Sequence, residues 1–95
     1  MTDHVFRGEL YLATDEPGSW VFVDLPEWLA DEVAAAASPT AFGSVRVQVR
    51  LGPSSWETSV FPSKARGTYL LPVRASARRA AGVEAGDEVE VTISL

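Results

Sequence analysis

The chain has 95 residues, 46% of them hydrophobic, with 13 acidic and 8 basic residues and a formal net charge of −5. That length fits one domain with a modest core, and the apolar fraction separates it from disordered chains. Cysteine is absent, which excludes disulfides, thiol nucleophiles and thiolate metal sites, and the acidic balance argues against nucleic acid unless basic residues cluster in space.

From Val5 to Ala13, Phe6, Gly8, Leu10 and Leu12 share one parity and Arg7, Glu9 and Tyr11 the other. Period two predicts a strand with one wet face. Thr14–Gly18 is a turn punctuated by Pro-Gly, and Trp20–Val23 is a second strand, apolar throughout. Pro26 suits a first helical turn, with Asp24 or Leu25 as the cap, and a helix is expected through Ala37 until Ser38-Pro39 ends it. Val45, Val47, Val49 and Leu51 alternate with Arg46, Gln48 and Arg50, the clearest strand in the chain. Gly52-Pro53-Ser54 makes a turn into a strand at Trp56–Phe61, and Pro62–Gly67 reads as an open polar loop. Thr68–Val73 is a strand leading into a short helix near Arg74–Ala81, which Gly82 ends as a left-handed cap. Glu84-Ala85-Gly86-Asp87 is a turn, and Glu88–Leu95 the last strand, with Val89, Val91, Ile93 and Leu95 inward.

The expected architecture is therefore mainly β: about six short strands and two short helices, closing or nearly closing a small barrel. An αβ sandwich is the alternative. No internal boundary divides the chain, and residues 1–95 read as a single domain.

Chemistry is sparsely signalled. His4 is the lone histidine, close to a terminus where chains fray, so it reads as a surface residue and no metal site is expected. No Gly-x-Ser-x-Gly, Gly-x-Gly-x-x-Gly or phosphate-loop pattern occurs. No catalytic residue and no cofactor are assigned. The tryptophans are more informative: Trp20, Trp28 and Trp56 are many for so small a chain. Trp56, flanked by Ser55, Glu57, Thr58 and Ser59, could line a polar pocket or groove, or fill a barrel end. Ser63, Lys64 and Arg66 in the following loop could hold a phosphate or carboxylate. The candidate ligand-binding residues are thus Trp20, Trp28, Trp56, Glu57, Ser59, Lys64 and Arg66.

Gly18-Ser19-Trp20-Val21-Phe22-Val23-Asp24-Leu25-Pro26 resembles a "tryptophan, then Phe-Val-x-Leu-Pro" signature. Trp56-Glu57-Thr58-Ser59-Val60-Phe61-Pro62 is similar to "Trp-x-Thr-Ser-Leu-Phe-Pro", and Gly67-Thr68-Tyr69-Leu70-Leu71-Pro72-Val73-Arg74 to "Gly-x-Tyr-x-Leu-Pro-Val-Lys". With Gly43-Ser44-Val45-Arg46-Val47 and Val83–Val89, these signatures span nearly the whole chain. They are those of the domain of unknown function 1905 (DUF1905) family, of bacterial and archaeal distribution. Val60 and Arg74 replace the usual leucine and lysine, preserving hydrophobicity and charge. The resemblance implies a small β-barrel with helical crossovers and transfers no activity. The Gly86-Asp87 turn also resembles that of cradle-loop and double-psi barrels, where glycine permits the bend and the aspartate accepts backbone N–H groups. It is a structural device.

The leading functional reading is a non-enzymatic barrel domain that binds a small molecule or a protein. An enzyme would recruit Glu57, Ser59 and Lys64 near Trp56. A nucleic-acid role would need Arg46, Arg50, Arg74, Arg78 and Arg79 on one face, against the acidic charge. No apolar run spans a membrane, and MTDHVFRGELYL lacks the features of a signal peptide, so a cytoplasmic location is expected, with monomer and homo-oligomer both open.

Overall fold

The computed structural model describes residues 2–37 and 43–95. Seven strands and two helices follow in the order β1 (Asp3–Glu9), β2 (Tyr11–Leu12), β3 (Val21–Asp24), α1 (Glu27–Ala36), β4 (Val45–Leu51), β5 (Ser54–Ser63), β6 (Thr68–Pro72), α2 (Ala75–Ala81) and β7 (Glu88–Ser94). They form one antiparallel sheet in the order β1-β7-β4-β5-β6-β3-β2.

This corrects the six-stranded closed or nearly closed, cradle-loop-like barrel expected from the sequence. The sheet is an open, curled half-barrel of seven strands. The extra strand comes from the first periodic segment, which breaks at Leu10 into β1 and β2. Those two pieces lie at opposite ends of the sheet. Only Leu10 separates them, too short a link for a hairpin, so they do not pair side by side. The curl does bring β1 back against β3: a Cβ on Gly8 would lie 2.7 Å from Val23 Cγ2. Among the described residues, however, no ladder joins β1 to β2 or β3.

The corner at Leu10 is held by the turn before β7. The Leu10 N–H donates to the Asp87 carbonyl at 2.9 Å, and the Gly86 N–H to the Leu10 carbonyl at 2.7 Å. Gly86 has φ 99°, a conformation that a Cβ penalises. The Asp87 carboxylate accepts the Glu84 N–H at 2.8 Å.

β5 is the strand that curls the sheet. Its first part pairs with β4, from Leu51↔Ser54 to Val45↔Val60, and its last residues pair with β6, from Phe61↔Leu70 to Ser63↔Thr68. Pro62 is therefore in a ladder opposite Tyr69, and the loop expected over Pro62–Gly67 shrinks to a tight turn whose Gly67 N–H donates to the Ser63 carbonyl at 2.9 Å.

The alternating valines of β4 and β7 put Val47, Val49, Val91 and Ile93 on the concave face, with Leu29 and Val33 of α1 and Ala77 of α2 packed in the same core. Each is almost wholly excluded from water, and each Val, Leu or Ile so buried contributes about 1.5–3 kcal/mol. Pro26 itself is the N-cap of α1, with extended φ and ψ. Asp24 does not cap. Ser38-Pro39, expected to stop this helix, lies outside the described residues. Gly82 ends α2 in the left-handed conformation, φ 70°.

Candidate functional site

A cleft of about 450 Å³ opens at one end of the concave face. Its floor comes from β5. Trp56 and Thr58 share the inward parity of that strand, opposite Val49 and Val47, so both point to the core side. Trp56 is buried. One wall is the junction from β6 to α2, where Val73 and Arg74 follow the last strand residue. The other is the loop carrying Trp20.

That loop is internally tied. The Ala13 N–H donates to the Trp20 carbonyl at 2.8 Å and the Ser19 N–H to the Glu16 carbonyl at 3.1 Å. Ser19 Oγ accepts the Thr14 N–H at 2.8 Å. The Trp20 ring is 63% exposed and stacks on Phe22 at 6.0 Å between centroids. Its backbone is fixed while its indole edges the cleft.

Two arginines line the cleft, and they differ. Arg78 is committed: Nε donates to Glu84 at 3.2 Å, Nη1 donates to the Val73 carbonyl, and the side chain is only 14% exposed. Arg74 is exposed. Its guanidinium carbon sits 5.6 Å from the Trp56 ring centroid, within cation–π range. Among the described residues it has no ion pair.

The other sequence-derived candidates lie elsewhere. Glu57 and Ser59 are on the opposite face of β5 from Trp56, because neighbours in a strand point to opposite sides. Arg46 binds both, at 2.6 Å to Glu57 and 3.4 Å to Ser59. Lys64 is exposed in the turn after β5. The grouping of Trp56 with Glu57, Ser59 and Lys64 is thus not assembled. Trp28, in the first turn of α1, is 52% exposed and faces the His4 ring at 6.1 Å, away from the cleft. The basic set does not gather on one free face either, since Arg46 and Arg78 are spent on Glu57 and Glu84.

Arg66 belongs to a second cluster. Its Nε and Nη2 donate to Asp24 Oδ2 at 3.0 and 2.8 Å, and its guanidinium carbon lies 4.1 Å from the Tyr11 ring centroid. The Tyr11 hydroxyl donates to Asp24 Oδ1 at 2.6 Å. Partial burial, reinforced by the hydrogen bond to the Asp24 carboxylate, pushes the phenol up to about 12. The same carboxylate raises Arg66. With both Asp24 oxygens engaged, this cluster fastens β2, β3 and the turn after β5 to one another.

Tyr11 carries no signal of a site in the sequence, Asp24 reads there as a cap, Thr58 only as one of the hydroxyls beside Trp56, and Arg74 only as a member of the basic set. Thr58 was detectable, since it shares parity with Trp56. Arg74 was detectable in part, as the second residue after a strand that ends at Pro72. Among the described residues, no group of His, Asp and Glu could hold a metal ion, and no helix is long and apolar enough to cross a membrane.

No curated protein matches the chain. The family model described as "Domain of unknown function (DUF1905)" matches residues 6–93, which is most of the sequence, with β2 to β6 whole and β1 and β7 in part. That description carries no ligand or activity, so the chemistry of the cleft has to be argued from its own residues. By this match, the chain belongs to the DUF1905 family.

Proposed function

We propose that this domain is a non-enzymatic small-ligand-binding module and that the Trp20–Trp56–Arg74 cleft is where it binds. The observation that carries the reading is the cleft's construction. Its volume of about 450 Å³ falls in the range of ordinary ligand sites. Its floor is a buried indole, its polar groups are few, and its two charged groups, Arg74 and Arg78, come from the α2 side. Its titratable side chains are Arg74 and Arg78. Guanidinium groups hold charge without exchanging protons near neutral pH, so the lining suits recognition better than acid–base chemistry. Thr58, on the floor, offers a hydroxyl that can donate or accept.

A thermal-shift screen of the 95-residue protein against a metabolite panel tests this. A ligand at one hundred times its Kd adds about 2.7 kcal/mol of stability, a rise in Tm easily measured. The rise should shrink in Thr58→Val and Arg74→Gln. Absence of a shift with every compound would overturn the reading. So would shifts that neither substitution changes.

A further inference from the structure

The protein carries 13 acidic residues against 8 basic ones. Yet among the described residues no Asp or Glu lines the cleft. An apolar concavity edged by cations alone, on an acidic molecule, concentrates positive potential where a ligand would sit. Arg7, Arg46, Arg66 and Arg78 each have a carboxylate partner. Of the two cleft arginines, Arg74 alone keeps its charge uncompensated, and it keeps it beside the face of Trp56.

The chemistry of an occupant follows from these features. One uncommitted guanidinium matches one negative charge. Its planar fork meets a carboxylate with two parallel N–H···O bonds. A phosphate monoester carries nearly two charges, and the Arg78 charge is already balanced by Glu84, which leaves one net positive charge to meet it. A free amino acid would bring an ammonium group into a site with no carboxylate to receive it, an expensive arrangement away from water. The indole floor, with Val21, Pro72 and Val73 around it, favours a flat apolar body.

We infer that the cleft selects a planar aromatic monocarboxylate without an ammonium group, its ring against Trp56 and its carboxylate forked by Arg74. This assignment rests on the cleft being a binding site at all, so the experiment separates the two.

The probes are indole-3-acetate, its neutral isostere indole-3-acetamide, L-tryptophan and acetate, titrated into the intact protein by isothermal calorimetry. Amide resonances followed by NMR locate the site. Indole-3-acetate should bind and shift Thr58 and Arg74. The amide, tryptophan and acetate should each bind at least about tenfold more weakly. Arg74→Gln should weaken indole-3-acetate about tenfold to a hundredfold, the worth of a charge-assisted pair, and leave the amide unchanged. Arg74→Lys, which keeps the charge but loses the fork, should fall between. Arg74 is exposed, and an unchanged Tm shows that each variant is folded. Equal binding of acid and amide, or an Arg74→Gln protein that binds the acid undiminished, would overturn the carboxylate assignment and leave the cleft a binding site. Silence from all four probes at millimolar concentration overturns the assignment as well. The cleft reading falls with it only if the broader metabolite screen is also silent.

Discussion

Gly8 sits where the curl of the sheet brings β1 onto β3, and its replacement by alanine should expose the strain of that approach. The added Cβ would meet Val23 Cγ2 at 2.7 Å, about 1 Å inside the separation carbon atoms prefer. Val23 cannot yield easily. Its side chain is fully buried, it is stiff about χ1, and its strand is paired to β6 through Val23↔Leu71. Overpacking of this kind costs about 1–3 kcal/mol. Loss of glycine's freedom in the unfolded chain returns about 0.4–1 kcal/mol. Gly8→Ala should therefore destabilise by roughly 1–2 kcal/mol, lowering Tm by roughly 5–15 °C in a domain this small. Urea denaturation of a double-mutant cycle isolates the contact. In a Val23→Ala background the obstructing methyl is gone, so the same substitution should cost about 1 kcal/mol less than in the parent. A Gly8→Ala protein as stable as the parent, or the same cost in both backgrounds, would refute the close approach of β1 to β3.

Three further outcomes follow. Tyr11 titrates higher in the folded protein than its ordinary value near 10, so its contribution is whole below pH 10 and is lost as the pH rises toward 12. With solvent screening it amounts to about 1 kcal/mol, and stability measured from pH 9 to 12 should fall less steeply in Tyr11→Phe. Gly86→Ala forces a Cβ onto a positive φ at the turn that holds Leu10 and should cost about 1–2 kcal/mol in chemical denaturation. Glu57→Gln breaks a pair whose side chains are more than 60% exposed. It should change stability by less than about 1 kcal/mol and leave ligand shifts in the metabolite screen intact, because Glu57 is on the convex face.

Local periodicity was readable where burial is one-sided. Val45–Leu51 alternates because one face of β4 meets the core and the other water, and the strand appears where the alternation puts it. The bend at Leu10 was not readable, since Phe6, Gly8, Leu10 and Leu12 keep a single parity through the break. Only the distant Gly86-Asp87 turn shows that the chain changes sheet position there. Strand count and closure failed together for that reason. Asp24 before Pro26 looks like a cap by composition, yet its carboxylate is taken by Arg66, 42 residues away. Trp56 and Glu57 are neighbours in β5, so the same period-two rule puts them on opposite faces. The partial legibility of the cleft has the same root. Trp20 and Trp56 are conspicuous as residue types, whereas Arg74 matters only through a neighbour that tertiary packing supplies.

The placement of β1 at the edge beside β7 also bears on how the chain folds. The pairing Asp3↔Ser94 joins the first strand to the last, and the Ser94 hydroxyl closes onto the Asp3 carboxylate across 91 positions. During synthesis β1 leaves the ribosome long before its partner β7 exists, and β2, which follows it in sequence, lies at the far end of the sheet. The β1–β7 ladder therefore forms only once β7 is available. Closing so long a loop before any ladder rewards it places the protein among the slower small domains, folding in roughly milliseconds to seconds.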